Sequence, residues 1–215
     1  MPRQRPGRAW QACHREDTAS QGGVNPPFGR SDNLLASFLS DIGMAKSDSF
    51  FIRAELTTDE DNTFRQTTIP LGSYVDALGQ AVLRIHNIEY EWINSSNLPP
   101  ICIVDTPAYA TAQVTTQSQT SMTNLADKSV VFKSQLWARN PDGNSGDPPS
   151  QVYNDSHAPQ HFSDGYLVAV ETMYLGGYAN AGWASSQNLK ICMVLECTVE
   201  KMSQSAAMAL ALSQQ

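Results

Sequence analysis

The stretch from Leu189 to Lys201, LKICMVLECTVEK, limits what this chain can fold into more than any other. Leu189, Ile191, Met193, Leu195, Cys197 and Val199 share one parity. Lys190, Cys192, Val194, Glu196, Thr198 and Glu200 take the other. Successive side chains of a strand point to opposite faces. One face here is therefore wholly apolar and the other mixed. The pattern predicts a long interior strand of an antiparallel sheet, with Glu196 and Glu200 turned toward solvent or a neighbour.

The same test applied along the chain finds more strands. Residues 49–57 (SFFIRAELT) form the first, and 64–69 return after an acidic turn, with Pro70 at an end or an edge. In 81–93, Ala81, Leu83 and Ile85 set one apolar parity, and Ile88, Tyr90 and Trp92 set the other. The change at His86-Asn87 predicts a β-bulge or bend, and a structural or surface role for His86. Residues 101–104, 129–137 and 166–174 read as further strands. Residues 105–124 are rich in Thr, Gln, Ser and Ala and read as a polar loop or edge strand. Residues 139–165 read as a long surface loop, and Leu175-Gly-Gly-Tyr178 as a flexible turn. Ser31-Asp-Asn33 can cap a short helix over Leu34–Ile42, and the tail SQSAAMALALSQQ has good helix propensity. The expected fold is all-β: a two-sheet antiparallel sandwich with short helical segments near both termini. Residues 1–30 form a flexible arm, and 31–215 a single sandwich domain.

Composition narrows the chemistry. Charged residues make up 16% of the 215, and Gln, Ser, Thr and Asn fill the gap, which suits broad uncharged contacts. The net charge is −7, but residues 1–30 carry +3, leaving −10 on the body. A short basic arm can meet nucleic acid electrostatically. The four cysteines form no CxxC pair, and Cys192 and Cys197 have opposite strand parity, against a bond between them. The start MPRQRPGRAW has no apolar signal core, and no run reaches membrane-spanning length, so a soluble chain made inside the cell is expected. GxSxG, Walker A, HExxH and EF-hand patterns are absent, and no cofactor is called for. Two surfaces remain as candidates. Asp155, His157 and His161 offer oxygen and nitrogen donors for a metal, and would centre a metal-dependent enzyme. Tyr109, Trp137, Tyr166 and Trp183 would line the cleft of a recognition module for glycan or protein.

The basic Arg3/Arg5/Arg8 arm, the strands 49–57, 81–93, 129–137, 166–174 and 189–201, and the polar loops between them resemble the single-jelly-roll capsid proteins of small icosahedral viruses. The resemblance covers residues 45–201. It implies a jelly roll, a non-catalytic role, and self-assembly of many copies into an icosahedral capsid in the host cell, ending in the virion. It also implies that Arg3, Arg5, Arg8 and Arg15 neutralise phosphates of a viral genome facing the arm. The acidic body instead suits a shell whose genome is handled by another capsid component.

Overall fold

The computed structural model describes residues 47–59, 61–76, 78, 80–141, 151–184 and 188–215. The chain divides into two units, Met1–Gly43 and Met44–Gln215, and every described residue belongs to the second. The arm and the helix expected over Leu34–Ile42 lie outside the described residues.

Nine strands follow in order: β1 (Phe50–Thr58), β2 (Arg65–Pro70), β3 (Ala81–Ile93), β4 (Ala108–Thr115), β5 (Val130–Arg139), β6 (Gln151–His157), β7 (Tyr166–Val168), β8 (Thr172–Ala179) and β9 (Leu189–Lys201). They form two antiparallel sheets, ordered β1-β9-β3-β7 and β2-β8-β4-β5-β6. Apart from the β4–β5–β6 meander, each strand is followed by one in the other sheet. That wrapping is a jelly roll, here with β6 added beyond the usual eight strands.

β9 is interior, between β1 and β3, as its alternation predicts. Leu189, Ile191, Met193, Leu195 and Cys197 are buried in the core shared with Ile69, Leu83, Ile85, Ile88, Phe132 and Leu175. The expectation for Glu200 needs correction. Its carboxylate is 3% exposed and grips Arg84 through two bonds, Nε–Oε1 at 2.7 Å and Nη2–Oε2 at 2.9 Å. The reason is the C-terminal helix α1 (Gln204–Ser213), which starts at the cap Ser203. With Val82 and Ala169, Ala207 of α1 buries a small second cluster, against which Leu167, Met202, Leu210 and Ala211 pack. Both faces of the sheet are covered there, so the solvent face of the pattern ends at Thr198 and Glu200.

β3 runs over the expected residues, and its register with β9 shifts between Ile85 and Asn87. The shift brings Leu83 and Ile85, and then Ile88 and Trp92, to the core. His86 takes the structural part expected of it: its Nε2 sits 2.9 Å from Thr198 Oγ1.

Several strand assignments change as well. Residues 64–69 do not return beside β1; β2 crosses to the other sheet and pairs with β8 at its edge. Residues 101–104 make only isolated bridges, Cys102 to Trp183 and Val104 to Asn140. The polar segment 105–124 contains β4, an interior strand with Ala108, Ala110, Ala112 and Val114 turned into the core. Residues 166–174 split into β7 and β8, with Ala169–Glu171 crossing between sheets.

The Gly-Gly pair is not a turn but the middle of β8. A Cβ on Gly177 would meet the Thr111 carbonyl oxygen at 2.6 Å, and one on Gly176 would meet the Phe64 ring at 2.4 Å. Close packing, not flexibility, is what these glycines supply.

Candidate functional site

The outer face of the five-stranded sheet carries a group of exposed aromatic and polar side chains. On β5 the even residues point inward, leaving Lys133, Gln135, Trp137 and Arg139 outside. Residues 139–165, read as a loop, contain β6, which pairs with β5. The pairing converts a set of scattered residues into ordered rows. Tyr109 of β4, Trp137 of β5 and Tyr153 of β6 lie directly opposite one another. Their exposures are 37%, 37% and 55%. The next row is Thr111, Gln135 and Asp155, and the next Gln113, Lys133 and His157.

Hydrogen bonds hold this face in place. The Tyr109 hydroxyl donates to Asn62 Oδ1 at 3.1 Å, and its ring meets Tyr178 edge-on. The interaction of Tyr153 with the Asp155 carboxylate two residues on pushes the phenol above its ordinary range. Buried Gln113 binds the β4–β5 connection through the Ser121 carbonyl and the Thr123 amide and hydroxyl. Lys133 Nζ donates to the Thr123 carbonyl at 2.6 Å. The connection so fixed places Asn124 and Leu125 beside Lys133, Gln135, Asp155, Ser156 and His157, around a cavity of about 460 Å³.

Of the recognition residues expected from sequence, the fold unites Tyr109 and Trp137. Tyr166 stands on β7 in the other sheet, with its hydroxyl 3.4 Å from the Lys128 carbonyl. Trp183 is fully buried, its Nε1 donating to the Tyr109 carbonyl at 3.2 Å, so it supports the row from beneath. Arg3, Arg5, Arg8 and Arg15 lie outside the described residues. Asp155 and His157 share the outer face of β6, and His161 sits in a 3-10 turn at Pro159–His161. The two imidazole centroids are 6.2 Å apart, and His161 Nδ1 faces the Ala158 amide at 3.4 Å. Among the described residues, no group of three or more His, Cys, Asp and Glu is placed to hold a metal ion.

No protein-family model and no curated protein sequence matches the chain. Solved structures to which it is similar include three viral proteins. One is from Desmodium yellow mottle tymovirus: 9% identity, 86% of this chain and 96% of that one covered, TM-score 0.34. A second is from Cocksfoot mottle virus: 10% identity, 76% and 99% covered, TM-score 0.37. The third is VP1 of Trichodysplasia spinulosa-associated polyomavirus: 10% identity, 75% and 99% covered, TM-score 0.36. Scores of this size carry no residue correspondence, and the strand order rests on this chain's own pairing.

Sequence reasoning missed Tyr153. The signal was present: Tyr153, Asp155 and His157 alternate with Asn154 and Ser156. Reading the whole segment as a loop hid that period. It also missed the acidic turn's partners. Arg65 pairs with Asp59 and lies 3.7 Å from Asp61. Hydrogen bonds from the Thr63 amide and hydroxyl hold the Asp61 carboxyl below its usual range.

Two further concavities lie elsewhere among the described residues. One, of about 520 Å³, lies on the four-stranded sheet between Arg53, Glu55, Glu89, Glu91 and Cys192. The other, of about 460 Å³, opens at the sandwich edge between Trp92, Pro100, Leu136 and Val152. It forms because the five-stranded sheet carries β6 beyond its smaller partner. Among the described residues, no helix is long and apolar enough to cross a membrane.

Proposed function

We propose that this chain is a non-catalytic shell subunit, many copies of which assemble into an icosahedral viral capsid in the host cell. One observation carries the reading: large apolar side chains stand exposed on the edge strands β1 and β6 and in the connections of the jelly roll. Phe51 on the edge strand β1 is 56% exposed, and Val152 on the edge strand β6 58%. Leu78, Leu98 and Phe162, in the connections, are also exposed. Unpaired strand edges with apolar side chains invite contact with another chain. These patches are small and spread out, which suits several modest interfaces better than one large one. Repeated on a closed shell, such contacts bind collectively through high effective concentration.

The arm is the second part of the proposal. Arg3, Arg5, Arg8 and Arg15 would face the genome and contact its phosphates. The body's charge of −10 favours their confinement to that arm.

Size-exclusion chromatography with light scattering, followed by negative-stain imaging, tests the assembly. Closed particles or rings are expected, with yield depending on salt and pH. A strictly monomeric protein across concentration, salt and pH overturns the reading.

A further inference from the structure

The row Tyr109, Trp137 and Tyr153 is more than a scatter of exposed rings. Neighbouring strands lie about 4.8 Å apart, so the register sets the three aromatic residues side by side over roughly 10 Å of the sheet. Single exposed aromatics are ordinary on a protein, but contiguous ones on a held scaffold mark contact sites. Beside this platform runs a polar strip. Gln135 and Asp155 flank Trp137 and Tyr153 by one row, and Asn124 closes the far side of the 460 Å³ cavity.

From this juxtaposition of an aromatic row and a polar-walled cavity on the outer face of β5 and β6, we infer a binding site for a neutral pyranose glycan. A sugar ring has an apolar C–H face and a rim of hydroxyls. It requires an aromatic surface for the first and donors and acceptors at one side for the second. Trp137, at the centre of the row, provides the stacking surface. Tyr109 and Tyr153 extend it to either side, which fits more than one ring. Gln135 and Asn124 both donate and accept, and the Asp155 carboxylate accepts from a hydroxyl.

The charges select among sugars. Asp155 stands in the middle of the polar strip and repels a sugar carboxylate. Lys133 is drawn to the Thr123 carbonyl at 2.6 Å. Lys133 lines the same cavity as Asp155, so the two opposite charges offset each other there, which suits a neutral sugar better than an anionic one. The site is also built in advance: Asn62 orients Tyr109, and Gln113 anchors the connection that carries Asn124. Preorganisation of this kind reduces the ordering needed on binding.

Saturation-transfer NMR on the purified full chain tests the site, with lactose, cellobiose and maltose as neutral probes and sialyllactose as the acidic one. Transfer to at least one neutral disaccharide is expected, exceeding that to sialyllactose. Trp137→Ala should weaken binding by about tenfold or more, the factor that about 1.4 kcal/mol represents. Trp137→Phe, which keeps a ring, should retain part of it, and Gln135→Ala should weaken it with the ring intact. Circular dichroism of each variant separates loss of site from loss of fold.

Three results overturn the proposal: no transfer to any neutral sugar, binding undiminished in Trp137→Ala, or preference for the sialylated probe. Shielding of Trp137 fluorescence on particle formation, with glycan binding lost, also overturns it, because the face is then a contact between copies. The wild-type NMR readout needs no assembled shell, so failure to form particles leaves the glycan result intact.

Discussion

At the scale of single residues, the core of β9 makes a prediction about pH. Burial, with a smaller contribution from the Glu196 charge, pushes the Cys197 thiol from 9.0 up to about 12. The folded state thus disfavours the thiolate that the unfolded chain forms freely. This contribution to stability is full below pH 9.0 and is lost as pH rises toward about 12. Urea midpoints should fall across that window, and fall less in Cys197→Ala than in the wild type; equal slopes would remove Cys197 from the account. Two glycines on β8 give a second comparison. An added Cβ at Gly177 meets backbone, the Thr111 carbonyl oxygen, whereas at Gly176 it meets the outer end of the Phe64 ring. A ring can rotate away, but a carbonyl inside a paired ladder cannot. Gly177→Ala should therefore cost about 1–3 kcal/mol, the range of overpacking in a filled site. Gly176→Ala should cost clearly less, and thermal or urea unfolding of the two variants checks the order.

Among elements, the end of the four-stranded sheet under α1 shows the cost of a buried charge. Arg84 of β3 and Glu200 of β9 form a two-bond pair, with exposures of 17% and 3%. Arg84 also donates to the Asp164 carbonyl. Glu200→Leu leaves the guanidinium without its counter-charge and should cost about 3 kcal/mol, the lower end for a broken buried pair. Arg84→Met combined with Glu200→Leu should recover most of that loss, because the pair's own desolvation is removed with it. A double-mutant cycle by urea unfolding measures both; additive losses would show that the pair is not coupled.

This end also shows what the sequence could and could not reveal. The interior place of β9, the bulge in β3 and the outward residues of β5 follow from parity alone. Parity cannot show that a helix covers the second face, so Glu200 read as exposed. β4 was hidden because its core side is Ala108, Ala110 and Ala112, small residues with little strand signal, alternating with polar ones. The split between β7 and β8 was hidden for the opposite reason: YLVAVETMYL stays apolar through Ala169 and Val170, which are buried where the chain changes sheets, and the single Glu171 does not mark the break. The candidate site suffered most, because Tyr109, Trp137 and Tyr153 become neighbours only through the register of three strands.

For the whole molecule, the decisive property is how its surface treats a second copy. The edge strand β1 can be altered without disturbing the sandwich. Phe51 lies opposite Glu196 across the β1–β9 pairing, on the mixed face that Glu196 shares. Phe51→Lys would set an ammonium beside that carboxylate, a favourable cross-strand pair of roughly 0.2–1 kcal/mol. The subunit should therefore keep its fold and melting temperature. Its edge would lose an apolar contact and gain a charge, which natural edge strands use against pairing with another chain. Particle yield should fall severalfold in Phe51→Lys and hold in Phe51→Leu, measured by light scattering at equal protein concentration. Raising salt should restore little of the loss, because the missing contribution is burial of apolar surface rather than screened repulsion alone. If Phe51→Lys assembles as well as the wild type, the β1 edge is not an interface, and the contacts must lie at β6 and the connections instead.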